Sequence, residues 1–96
     1  LHNLEKIYAS GIIDHLSDIY NHPKTVILFG SFSRGEDIES SDIDIAIITK
    51  KKLDPDMSKY EKTLSKTVNI HEVDTNKISG EFKANLANGV VLEGSW

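Results

Sequence analysis

The sequence predicts an α/β fold, a small mixed β-sheet covered by helices, on three observations. Apolar residues step by three and four through the first twenty positions and again in two later stretches, the spacing of helices that bury one face. Between them lie short apolar runs, Val26-Ile27-Leu28-Phe29 and Ile45-Ala46-Ile47-Ile48, rich in β-branched residues and too short for buried helices. A third segment, Thr67 to Val73, alternates, with Val68 and Ile70 on one side and Asn69, His71 and Val73 on the other. Residues 1–96 form one domain on this reading, because a chain of 96 residues fills a single core and has no room for a second.

Leu1, Leu4, Ile7, Ile12, Leu16 and Ile19 predict one amphipathic helix of about five turns, weakened in the middle by Gly11 and ended by Asn21-His22-Pro23. Its histidines His2, His15 and His22 are not spaced as a metal pair on one face. The run from Val26 reads as a buried strand ending on Gly30. A polar connection, Glu36 to Ser40, then leads to Asp42 and Asp44, which open a strand apolar on both faces beyond Asp44, as a central strand is. Lys50-Lys51-Lys52 marks the exit of that strand to solvent. Leu53-Asp54-Pro55 predicts a helix start, with Asp54 as cap and Met57, Tyr60 and Leu64 on the buried face. Ile78, Phe82 and Leu86 mark a last helix that Asn88-Gly89 ends in the left-handed conformation, before a short strand Val90-Val91-Leu92. The terminal Trp96 is assigned no role.

The chemistry concentrates between Gly30 and Ile48. Gly30 lets the backbone turn sharply and approach a ligand closely, and Ser31 adds a hydroxyl and, with the residues after it, backbone N–H groups at a short helical turn closed by Gly35. Such a turn binds anions. Asp42 and Asp44, two apart on a strand, put two carboxylates on one face about 6 to 7 Å apart. Oxygen ligands of this kind suit Mg²⁺, whose coordination is completed by water and substrate phosphate. If the two strands pair antiparallel, cradle and carboxylates fall on the same sheet edge. Two ionised carboxylates at the mouth of an apolar strand cost several kcal/mol unless a cation or donors compensate them. Arg34, the sole arginine of the sequence, lies within this stretch as such a partner or as a phosphate contact.

Gly30-Ser31, Gly35 and Ser41-Asp42-Ile43-Asp44 running into an apolar strand resemble the signature of the nucleotidyltransferase superfamily related to DNA polymerase beta and kanamycin nucleotidyltransferase, in its minimal, stand-alone form. The closing Asn88-Gly89-Val90-Val91-Leu92 is similar to the ending of those minimal members. The resemblance implies transfer of NMP from an NTP, ATP by preference, to an acceptor hydroxyl with release of pyrophosphate. Asp42 and Asp44 would be catalytic and ligate Mg²⁺, and Gly30, Ser31, Arg34 and Ser41 would bind the nucleotide phosphates. Minimal members also resemble the antitoxin half of toxin–antitoxin pairs, whose partner is a helical HEPN-type ribonuclease. The alternative to an enzyme acting on a partner protein is thus a weakly active or inactive nucleotide-binding module that masks such a partner.

The resemblance also exposes a departure. Active members carry a third carboxylate on a later strand, and the position that aligns with it here is Asn69, whose amide is a poor metal ligand and no base. Glu72 is the nearest acid, but three residues along a strand places it on the opposite face, about 10 Å away, unless a bulge reverses the alternation. His71 shares the face of Asn69 and is a candidate base. Catalysis is therefore expected to be weak or partner-dependent.

Other chemistries fit less well. The Asp-x-Asp of haloacid-dehalogenase-type phosphatases follows its apolar run, whereas here it precedes it, and no Walker-type Gly-Lys-Ser/Thr is present. With no cysteine, a disulfide framework and a zinc-thiolate site are excluded. A formal charge of −4 argues against a surface built to grip nucleic acid. No apolar run approaches the roughly 18 residues of a membrane span, and a cytoplasmic location is expected.

Overall fold

A computed structural model of the chain describes residues 3–30 and 42–95. Ser31, Arg34, Gly35 and Ser41, together with Leu1, His2 and Trp96, lie outside the described residues.

The first apolar stretch forms two helices rather than the one expected, α1 (Asn3–Ala9) and α2 (Ile12–Ile19). Gly11 adopts φ +83°, a left-handed conformation that stops one helix and starts the next. Ser10 secures the joint: its hydroxyl donates to the Ile7 carbonyl (2.6 Å) and accepts from the Ile12 N–H (3.2 Å). The corner lets Ile7, Ile12 and Leu16 all reach full burial on one face of the sheet.

Four strands follow: β1 (Thr25–Phe29), β2 (Ile43–Ile48), β3 (Val68–Val73) and β4 (Val90–Gly94), in spatial order β3-β2-β1-β4. The sheet is mixed, since β1 pairs antiparallel with β2 and β4 while β2 pairs parallel with β3. A parallel neighbour requires a crossover, and α3 (Ser58–Leu64) supplies it. The last helix, α4 (Gly80–Ala87), links β3 to the edge strand β4.

Side-chain alternation sorts the core into two faces. Val26, Leu28, Ile43, Ile45, Ile47, Val68 and Leu92 pack with α1, α2, Met57 and Tyr60. Ile27, Ala46 and Val73 pack beneath α4 with Leu86, extended by Phe29, Ile48, Ile78 and Phe82. The alternation that puts Ala46 and Ile48 under α4 puts Asp44 on that same face, at the end where the apolar cover stops.

Two further expectations are corrected. Asp54 is not a helix cap: it sits at φ +45° in an irregular segment, and α3 begins only at Ser58, where the Asp56 carboxylate accepts from the Ser58 N–H (3.0 Å) and hydroxyl (2.6 Å). The N–H groups of Leu53 and Asp54 instead donate to Glu72 Oε2 at 2.6 and 3.3 Å, which ties this segment to β3. Gly89 is not left-handed either. It is required because a Cβ there would come within 2.6 Å of the Leu28 carbonyl and 2.8 Å of Ile27 Cγ2. Among the described residues no helix is long and apolar enough to cross a membrane.

Candidate active site

The antiparallel register of β1 and β2 pairs Phe29 with Asp44, so the residue just before Gly30 and the second aspartate stand opposite each other. Gly30 turns with φ +80°, and a Cβ built on it would lie 2.8 Å from Asp44 Oδ2. Two demands thus meet at Gly30, a backbone conformation that glycine adopts without strain and a carboxylate that occupies the space of a side chain.

On the other side, the parallel register pairs Asp44 with Asn69. The Asn69 amide donates to Asp44 Oδ1 (3.1 Å) and to Asp42 Oδ2 (3.2 Å), bridging the two carboxylates. His71, next on that face of β3, places Nε2 3.4 Å from Asp44 Oδ1. Its ring is held edge-on to Phe29 (centroids 5.1 Å apart), Phe29 in turn meets Phe82 edge-on at 5.7 Å, and Phe82 lies 6.5 Å from the imidazole. This ring cluster forms the wall between the apolar cover of α4 and the carboxylates.

The carboxylates are less enclosed than a strand mouth suggested. Asp42 is exposed, and the Asp44 side chain keeps 27% of its accessibility. The cost of burial is therefore small, and among the described residues the two carboxylates are met by the Asn69 amide, with the His71 imidazole beside Asp44. Asp42, Asp44 and Asn69 come together with Gly30, while Ser31, Arg34 and Ser41 lie outside the described residues.

Glu72 is placed elsewhere. The β2–β3 pairing runs without a bulge from Ile43↔Val68 to Ile48↔Val73, so Glu72 faces away from Asp44. Its Oε2 accepts from the Tyr20 hydroxyl (2.7 Å) as well as from Leu53 and Asp54. Partial burial pushes the Glu72 carboxyl up, but these donors and the Lys52 charge outweigh it and hold its pKa below the usual carboxylate range. Burial, and donation to Glu72, push the Tyr20 hydroxyl well above its ordinary value.

Among the described residues no group of three or more His, Cys, Asp or Glu side chains converges to hold a metal. The donor set that exists is open: two carboxylates on one face, reachable from solvent, beside a glycine turn. That set fits a hard divalent ion that takes few protein ligands and fills the rest of its shell with water and phosphate. Spacing put both aspartates on one face, and the resemblance pointed to the Asn69 position beside them. Neither revealed the ring cluster, because Phe29 and Phe82 carry only a core-packing signal until the fold brings them to His71.

Compared with curated proteins and with solved structures, the chain finds no match in either. The model of one protein family, described as polymerase beta, nucleotidyltransferase, matches residues 12–95, which takes in every strand of the sheet and the whole of the carboxylate edge. The chain belongs to the DNA polymerase beta-like nucleotidyltransferase superfamily.

Proposed function

We propose that the chain transfers AMP from ATP, with Mg²⁺, to a hydroxyl on a partner protein. The observation that carries this reading is the meeting of Gly30, Asp44, Asp42 and Asn69 at one sheet edge, with Asp44 in register with Phe29 on one side and Asn69 on the other. Asp42 and Asp44 are the residues to hold Mg²⁺. Bound there, the ion would neutralise the pyrophosphate that leaves and favour ionisation of the attacking hydroxyl.

The chain's own contributions follow from its geometry. Gly30 keeps the turn compact enough for the Asp44 carboxylate to stand against the backbone. Ser31 and the N–H groups after it, with Arg34 and Ser41, are assigned to the triphosphate on the sequence pattern. Asn69 orients both carboxylates through one amide nitrogen, and the rings of Phe29, His71 and Phe82 line one side of the edge. The acceptor side is open to solvent at Asp42.

A second reading is favoured by a specific feature, the amide of Asn69 in the place of a third carboxylate. In it the chain binds nucleotide, transfers slowly or not at all, and masks a helical HEPN-type ribonuclease. Calorimetric titration with Mg-ATP, run beside a turnover assay with α-labelled ATP and candidate partner, separates the two. Binding with label transferred to the partner supports transfer, and binding with a silenced partner and no label supports masking. Absence of Mg-ATP binding contradicts both.

A further inference from the structure

We propose that His71 is itself a metal ligand, so that Asp44 Oδ1 and His71 Nε2 hold a second divalent ion beside the one assigned to Asp42 and Asp44, and that this ion is of the Mn²⁺, Co²⁺ or Zn²⁺ type. The inference rests on the reading of Asp42 and Asp44 as metal ligands and extends it to a nitrogen donor.

The donors at this edge come as two pairs that share Asp44. Asp42 and Asp44 are tied by the Asn69 amide, and Asp44 and His71 stand 3.4 Å apart through Oδ1 and Nε2. Two ligands about 2.1 Å from a common four-coordinate ion are themselves about 3.4 Å apart, and about 3.0 Å apart on an octahedral one. The observed separation needs little or no movement to accept an ion. It is long for a hydrogen bond between an imidazole and a carboxylate.

The surroundings fit the same role. The His71 ring is oriented by edge contacts with Phe29 and lies beside Phe82, so its nitrogen is aimed before any ion arrives. Across the strand pair it faces Ala46, whose methyl is too small to crowd the imidazole. The side chain keeps 41% of its accessibility, which leaves a path for an ion and its waters. Asn69, in register with Asp44, turns its N–H toward the carboxylates and offers no anionic oxygen. An imidazole in this position shifts preference away from Mg²⁺, a hard ion that takes oxygen, toward borderline ions that bind nitrogen well.

Cobalt titration of the full chain without nucleotide tests this through the visible absorption of bound Co²⁺. The wild-type protein is expected to bind Co²⁺ at least tenfold more tightly than His71→Gln, while Mg²⁺ affinity, read by competition, changes less than twofold. His71→Asp, which replaces the nitrogen donor with a carboxylate, is expected to bind Mg²⁺ more tightly than wild type and Co²⁺ less tightly. Nitrogen-15 spectra of the wild-type imidazoles make the test independent of any variant: saturating Zn²⁺ should move the His71 Nε2 resonance and leave those of His15 and His22 in place. Equal Co²⁺ binding by wild type and His71→Gln, or a His71 resonance that Zn²⁺ does not move, overturns the inference. If Mg-ATP still binds in that case, the proposed transfer stands. If Co²⁺ binds through His71 but no nucleotide binds, the metal site stands and the proposed transfer falls.

Discussion

Asn69 sets how much negative charge the sheet edge carries, because its single amide nitrogen satisfies one oxygen of Asp42 and one of Asp44. Replacing it with Asp adds the missing carboxylate and removes the donor that holds the pair. Without metal, three clustered acids repel each other, and Asn69→Asp should melt several degrees below wild type. With Mg²⁺ the loss should disappear, and transfer of labelled AMP should rise about tenfold or more. Unchanged activity and unchanged melting would remove Asn69 from the site. Gly30 gives a second test at this scale. Gly30→Ala meets both a φ of +80° and an Asp44 oxygen 2.8 Å from the new Cβ, so urea unfolding should show a loss of about 1 to 2 kcal/mol. Displacement of Asp44 should also weaken Mg-ATP binding in the same protein, whereas backbone strain elsewhere in the chain would lower stability alone.

At the scale of elements, Glu72 ties three segments together. Its carboxylate receives the Tyr20 hydroxyl from the end of α2 and two N–H groups from the segment before α3, while its own backbone is part of β3. Lys51 adds to the same joint by donating from Nζ to the Tyr20 carbonyl (3.2 Å). Because the folded carboxyl is held below its ordinary value of 4.5, its contribution to stability is complete above that value and is lost as pH falls through the lower folded one. Wild type should therefore lose more stability than Glu72→Gln as pH falls from neutrality through 4.5 and below. Chemical denaturation across that range measures the difference, and parallel curves would contradict it. Nucleotide binding by Glu72→Gln should match wild type, since the carboxylate faces away from Asp44.

This joint also explains where the sequence was and was not legible. The strands, the Asp42–Asp44 pair and the position of Asn69 follow from local alternation, and the structure keeps each on the face that alternation assigns. The start of α3 does not, because Asp54 is a good local cap and Pro55 a good first-turn residue. A carboxylate 18 residues away takes the Asp54 N–H, and no local rule contains that contact. Gly11 was visible as a weak point, but a break that lets two short helices share one sheet face is set by packing. At Gly89 the reason for glycine is the approach of the Leu28 carbonyl, again a contact across the sheet.

For the whole molecule, the described elements are used up in building one sheet and covering its faces, and the carboxylate edge is left open at Asp42. The acceptor hydroxyl is therefore proposed to come from another polypeptide. Incubation with α-labelled ATP, Mg²⁺ and the product of a neighbouring gene should label that protein. Label on a small hydroxylated molecule, with every protein unlabelled, would contradict it. The central claim, that Asp42 and Asp44 hold the metal of a bound nucleotide, is tested most directly by thermal melting of wild type, Asp42→Asn and Asp44→Asn with and without Mg-ATP. At a hundredfold excess over Kd, wild type should gain about 10 °C or more, while each variant, folded and at least as stable alone, should gain only a small fraction of that. Equal gains for all three proteins would contradict the account.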